Sequence, residues 1–128
     1  MPGELLYKDE SYQMVGLCMK VHTKLGRGFK EVVYKDAMEI EMKNRGGIPY
    51  EREKSFCIEY EGVILPHRFI ADYIVFHSII LEVKAVSQMH TDAFRQTLNY
   101  LKASQVKLGI VINFGADKLE FQRIVCTY

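Results

Sequence analysis

Two neighbouring segments of the chain are rich in isoleucine, leucine and valine, yet each carries charge where a buried strand usually has none. Residues 67–76 and 79–84 predict two β-strands, and Asp72, Glu82 and Lys84 lie inside them. Burying an unpaired charge costs several kcal/mol, on the order of the stability of a whole small domain. The fold must therefore give these three side chains partners.

The length of the loop between the two strands decides whether the two carboxylates meet. Side chains alternate between the faces of a strand, so Asp72 is expected to share a face with Ile70 and Ile74. A hairpin with a three-residue loop at 76–78 places Asp72 directly across from Glu82, with Cβ atoms about 5 Å apart. The more common two-residue turn would place the carboxylates on opposite faces. A site made of both carboxylates therefore requires an odd-numbered loop or a bulge.

Two facing carboxylates repel each other unless a cation lies between them. A hard divalent cation such as Mg²⁺ prefers carboxylate and carbonyl oxygens at about 2.1 Å, which makes the Val83 carbonyl a candidate third ligand beside Asp72 and Glu82. Lys84, on the face of Glu82, would reach the attacking water or the scissile phosphate of a phosphodiester. The alternative is a closed ion network in which Lys84 bridges Asp72 and Glu82.

The rest of the chain predicts an α/β fold. Helices are expected at 11–25, with Ser11 as its N-cap, and at about 30–45, ending at Gly46-Gly47. The main apolar stripe predicted for the second helix contains Phe29, Val33, Ala37 and Ile40. Strands at 50–60, 67–76 and 79–84, a helix at 90–103, and strands at 107–113 and 118–126 follow. The order α-α-β-β-β-α-β-β predicts a crossover and a mixed sheet with helices on both faces.

The length, composition and charge of the chain indicate the broad class of protein. The 128 residues, of which 48% are hydrophobic and 26% charged, suit a single domain over 1–128 with one sizeable core. No segment predicts a membrane span or a secretory signal, so we expect the cytoplasm and no membrane partner. The net charge of +1 counts mildly against tight non-specific DNA binding. Three scattered cysteines predict small core residues rather than disulfides: Cys18, Cys57 and Cys126.

Several blocks of sequence, taken in order, resemble one known family. Residues 28–34 read GxxExxY, and they are followed by Asp72 and by the blocks at 81–86, 96–102 and 109–115. Together these blocks resemble the GxxExxY family, which is placed in the PD-(D/E)XK nuclease superfamily, over about residues 12–125. The resemblance implies a restriction-endonuclease-like core with Asp72, Glu82 and Lys84 at the signature positions. It implies accessory site roles for Glu31, Gln96 and Tyr100, and Ala71 stands where the superfamily name has proline.

The accessory residues each allow two interpretations. Glu31 either belongs to the site or merely favours a helix N-terminus electrostatically. Gln96 and Tyr100, four residues apart, share a helical face, where they either orient a metal-bound water or a phosphate or form a surface pair with a half-buried tyrosine.

Two functions follow from these observations. The first is a Mg²⁺- or Mn²⁺-dependent endo- or exonuclease that hydrolyses phosphodiester bonds of nucleic acid, DNA by expectation, with a metal-activated water. The alternative is a catalytically inactive nuclease-fold module that binds nucleic acid or a protein partner. A homodimer through Met38, Met42 or the C-terminal strand is a further expectation, by analogy with other small cores.

Overall fold

Two helices precede a five-stranded sheet, and a third helix crosses over it. The computed structural model describes residues 5–127. Its elements are α1 (Lys8–Leu25), α2 (Glu31–Arg45), β1 (Tyr50–Phe56), β2 (Glu59–Tyr60), β3 (Val63–Ile64), β4 (Phe69–Val75), β5 (Ile79–Lys84), α3 (Thr91–Ser104), β6 (Leu108–Asn113) and β7 (Glu120–Val125).

The sheet is mixed, as predicted. Its strand order is β1-β4-β5-β6-β7. The β5–β6 pair is parallel because α3 connects these strands, and the other neighbours are antiparallel. The predicted strand at 50–60 is divided: β1 ends at Phe56, and β2 pairs with β3 in a separate hairpin. Glu61 and Gly62 form its turn with φ values of 50° and 81°, the left-handed conformation that a two-residue hairpin turn requires.

Helices cover both faces of the sheet. One apolar cluster joins α1 and α2 to residues such as Tyr73, Leu81 and Ile110, and a smaller one joins Leu101 of α3 to Ile80. Helix α3 packs closely on β6 because residue 109 is glycine; a Cβ there would lie 2.7 Å from the Thr97 methyl group. No helix among residues 5–127 has the length and apolar character needed to cross a membrane.

Two details of the helices differ from the prediction. Helix α1 begins at Lys8, and Ser11 lies within its first turns, where its hydroxyl accepts a hydrogen bond from Arg123 Nη1 at 2.7 Å. The expected N-cap role of Ser11 is therefore wrong: the hydroxyl anchors β7 to α1. In α2 the predicted stripe is wrong, because Ile40 is 59% exposed and the buried stripe contains Tyr34, Lys35, Met38 and Met42.

The burial of the methionines of α2 and of the cysteines tests two further expectations, the dimer interface and the core role of the cysteines. Met38 and Met42 are core residues and offer no surface for a second copy. Strand β7 is an edge of the sheet, so a homodimer through the C-terminal strand stays a prediction. Cys18 and Cys126 are buried as expected, whereas Cys57 is only half-buried and accepts a hydrogen bond from Arg68.

Candidate functional site

The loop between β4 and β5 has the odd length that the site requires. The ladder pairs Val75 with Ile79, which leaves residues 76–78 as a three-residue loop. Phe76 and His77 have φ values of 54° and 55°, and the backbone N–H of Ser78 donates to the Val75 carbonyl at 3.0 Å. This is a tight two-residue turn followed by one extra residue. The resulting register places Asp72 across from Glu82, as predicted.

Strands β4 and β5 separate at Asp72. From there on, the carboxylates of Asp72 and Glu82 accept backbone N–H groups in place of hydrogen bonds between the two backbones. The last pair that joins β4 to β5 is Tyr73 with Leu81. Beyond it, the N–H of Val83 donates to Asp72 Oδ2 at 2.7 Å, and the N–H of Asp72 donates to Glu82 Oε2 at 3.3 Å. Because the N–H and C=O of one strand residue point to the same side, the Val83 carbonyl also faces β4.

Strand β4 twists at Asp72. Ala71 packs in the cluster on the α3 side, whereas Tyr73 packs with α1 and α2, although residues two apart in a regular strand share a face. The residue of β1 that lies across from Asp72 is Glu53, and its φ of 55° marks the same irregularity. Ile70, Asp72 and Ile74 therefore do not share one face as expected, since Ile70 is 59% exposed whereas Ile74 is buried. The twist directs the Asp72 carboxylate into the gap between the strands.

The electrostatics of the pair are unfavourable without a cation. Only 6% of Glu82 is exposed. Burial, and then the charge of Asp72, raise the pKa of Glu82 to about 8, and the charge of Lys84 lowers it only in part. A divalent cation between the two carboxylates would offset their repulsion.

We expect the metal-free protein to lose stability as the pH rises from about 4.5 to about 8, because the pKa of Glu82 is higher in the folded state. Such a group stabilises the fold below its unfolded pKa, and this contribution is lost as the pH passes the folded value. Thermal melting at about pH 5 and about pH 9 measures the effect, and Glu82→Gln should reduce the difference. An identical pH dependence in both proteins would contradict the raised pKa.

A lysine that the sequence analysis missed also contacts Asp72. Lys35 of α2 is 8% exposed, and its ammonium donates to Asp72 Oδ1 at 2.9 Å and to Glu53 Oε1 at 3.2 Å. Burial alone lowers the pKa of Lys35, but its hydrogen bonds to Asp72 and Glu53 raise it above the usual range. The ammonium is therefore charged. A signal was available, since Lys35 shares a helical face with the buried Met38 and Met42.

Lys84 does not close an ion network, contrary to the alternative interpretation. No ion pair joins it to any other residue within 5–127, and Lys35 takes the bridging position on Asp72 instead. Lys84 is half-buried and lines a cavity of about 310 Å³ together with Gln96 and residues that precede or begin α3. The ammonium is thus available to a ligand in that cavity.

Tyr100 lies near the carboxylates. Burial and the charges of Glu82 and Asp72 raise the pKa of Tyr100, and a hydrogen bond with Gln96 lowers it in part. The Tyr100 ring stacks on Phe69, with ring centroids 4.1 Å apart and planes 8° apart, and Phe69 stacks in turn on Phe56. Gln96 is exposed and Tyr100 is half-buried, so both interpretations of this pair stay open.

The GxxExxY segment builds a loop rather than contacting the carboxylates. Tyr34 is fully buried, and its hydroxyl donates to the Gly26 carbonyl at 2.6 Å and accepts from the N–H of Phe29 at 3.2 Å. Its ring stacks on Phe114 at 4.5 Å. Glu31, the first residue of α2, is exposed in a surface hollow that also contains Ala85, the residue after Lys84. Glu31 thus lies beside the end of β5, and both interpretations of it stay open.

Comparison with known proteins agrees with this geometry. The family model described as the PD-(D/E)XK nuclease superfamily matches residues 8–124. The chain belongs to the PD-(D/E)XK nuclease superfamily. Its mixed α/β sheet flanked by helices is a restriction-endonuclease-like fold. Nucleases of this superfamily generally use divalent metals.

A solved structure shares the fold. The crystal structure of SSO0001 matches with a TM-score of 0.59 and 18% sequence identity, over 77% of this chain and 51% of that one. The chain thus spans about half the length of that protein, and the likeness shows the fold alone. No curated protein matches the chain.

The residues of this superfamily member suit a small cation site. Within residues 5–127 no group of three or more His, Cys, Asp or Glu side chains could hold a metal ion. The pair Asp72 and Glu82 is smaller than that, and it depends on backbone oxygen and solvent for further ligands. It fits a hard divalent ion, because the donors are oxygens and the buried Glu82 carboxylate lacks a full counter-charge. At the signature proline position, Ala71 is fully buried and paired with Lys54 of β1.

Proposed function

We propose that this PD-(D/E)XK superfamily member is a Mg²⁺- or Mn²⁺-dependent nuclease that hydrolyses phosphodiester bonds of DNA. The observation that carries the proposal is the contact of Asp72 with the buried Glu82, whose Oε2 accepts the Asp72 N–H at 3.3 Å where β4 and β5 separate. A hydrolase of this kind needs oxygen ligands for the metal and a cation near them. Asp72, Glu82 and the Val83 carbonyl would serve as the ligands, and Lys84 as the cation.

Asp72, Glu82 and the Val83 carbonyl would hold the metal ion. When bound, the ion would polarise the phosphate and lower the pKa of a bound water. The N–H of Val83 fixes the orientation of Asp72 through its 2.7 Å hydrogen bond to Oδ2. Glu82 would lose a proton on binding the ion at neutral pH, because burial and the charge of Asp72 raise its pKa to about 8.

Lys84 and the accessory residues would act on the substrate. The Lys84 ammonium, two residues beyond Glu82 on the same strand, would stabilise charge that develops on the phosphate. Gln96 and the Tyr100 hydroxyl would orient a phosphate or the attacking water. The two residues are four apart on α3, and burial, together with the charges of Glu82 and Asp72, raises the pKa of Tyr100. Glu31 would assist from the start of α2, which lies next to the end of β5.

The family within the superfamily, the kind of nucleic acid and the mode of cleavage are part of the same proposal. The GxxExxY pattern at 28–34 supports membership of that family within the superfamily. DNA is the substrate that we propose, cut as an endo- or exonuclease. The cytoplasmic location and the single domain over 1–128 stay predictions from the sequence.

The proposal is tested by titrating Mn²⁺ calorimetrically into the wild type and into Asp72→Asn, and then assaying branched, single-stranded and duplex DNA. We expect binding and metal-dependent cleavage in the wild type and neither in the variant. Asp117→Ala is the matched control, because Asp117 is exposed and pairs only with Arg27 among the described ion pairs.

Two other outcomes are decisive. Mn²⁺ binding without cleavage of any substrate would favour the inactive nucleic-acid- or protein-binding module. Absence of binding would overturn the metal site.

A further inference from the structure

The two oxygens of the Asp72 carboxylate accept hydrogen bonds from different elements of the fold. Oδ2 accepts the Val83 N–H on the side of β5, where Glu82 lies. Oδ1 accepts the Lys35 ammonium on the side of β1, where Glu53 lies. Asp72 is thus the middle member of a row of three carboxylates on adjacent strands.

This row offers two positions at which a cation could bridge a pair of carboxylates. The β4–β5 register brings Glu82 across from Asp72, and the β1–β4 register brings Glu53 across from it on the other side. The second position contains the Lys35 ammonium, 2.9 Å from Asp72 and 3.2 Å from Glu53.

Lys35 is held in place by more than its charge. Its side chain is 11% exposed. The hydroxyl of the fully buried Tyr73 donates to its backbone carbonyl at 2.6 Å, which fixes this turn of α2 against β4. A flexible surface lysine would leave the position readily, whereas this one is largely buried and its helix turn is fixed to β4.

We propose that Lys35 is a built-in cation that fills the Glu53–Asp72 position and limits the centre to one divalent ion, bound between Asp72 and Glu82. The inference rests on the proposed function and adds the metal stoichiometry to it. The nuclease would then work with one divalent ion and a protein ammonium in the place of a second.

The deciding experiment counts Mn²⁺ ions per chain by calorimetry and by electron paramagnetic resonance. For the wild type we expect one ion at saturation and the spectrum of isolated Mn²⁺. Lys35→Met, which keeps the buried stem but removes the charge, should bind two ions with a spin-coupled spectrum. Lys35→Arg, which keeps the charge, should bind one, and Lys35→Met combined with Glu53→Gln should return to one.

The outcomes separate the two proposals. Two ions in the wild type, or one ion in a folded Lys35→Met protein, would overturn the role of Lys35 and leave the metal site intact. No Mn²⁺ binding in the wild type would overturn the proposed function and this inference with it. If Lys35→Met does not fold, Lys35→Gln, which also removes the charge, takes its place in the same ion count.

Discussion

Glu82→Gln should abolish Mn²⁺ binding and cleavage while making the metal-free protein more stable above about pH 8. The amide has the shape of the carboxylate and can still accept the Asp72 N–H at Oε. It carries no charge, so it removes both the burial of a charge and the repulsion from Asp72, which together raise the pKa of Glu82 in the wild type. An increase of about 1 kcal/mol in the free energy of unfolding would raise the melting temperature by about 3–5 °C in a chain of this size.

Melting curves with and without Mn²⁺ measure both effects. A wild-type protein with metal at about 100 times its Kd should gain about 2.7 kcal/mol, and the variant should gain nothing. Glu59→Gln is the control, because Glu59 is an exposed carboxylate of the separate β2–β3 hairpin. A Glu82→Gln protein that is still stabilised by Mn²⁺ would show that the ion binds elsewhere.

Lys84→Met should lower kcat by about 10²–10³-fold and leave the Mn²⁺ affinity within about twofold of the wild type. The reason is that the Lys84 ammonium is paired with neither Asp72 nor Glu82 within the described chain and faces a cavity shared with Gln96. Its loss therefore removes a charge from the substrate side of the site rather than a support of the carboxylates.

Single-turnover cleavage measures the rate of the chemical step, and Mn²⁺ titration measures the metal affinity. Both are measured above the pH at which Glu82 titrates, since Lys84 also lowers the pKa of that residue. Lys107→Met is the matched control: Lys107 is exposed and precedes Leu108, which lies at the opposite end of the sheet from Lys84. Lost metal affinity in Lys84→Met would instead assign Lys84 to holding the acidic pair.

Much of the fold follows from local patterns. Glycine pairs and apolar runs predicted the ends of α2, the extent of β5 and the crossover through α3. The face of α2 was predicted wrongly because two stripes of similar apolar content wind around that helix. The choice between them comes from tertiary partners of Tyr34, whose hydroxyl and ring bind Gly26 and Phe114, and no local pattern reveals those.

The site was predictable in part for a similar reason. The facing of Asp72 and Glu82 depends on a loop of three residues, which is a local property. The contact of Lys35 with Asp72 joins residues 37 positions apart, and a lysine in a helix ordinarily indicates solvent exposure. The twist of β4 at Asp72 likewise depends on its neighbour β1, so strand alternation alone could not predict it.

The three-residue loop at 76–78 has a consequence for how this gene can change. Substitutions there leave the strand register unchanged, but the gain or loss of one codon would shift the strand pairing by one residue and turn Glu82 to the other side of the sheet. A single in-frame deletion would thus separate the acidic pair without touching either member. Among natural variants, the length of this turn should therefore be conserved.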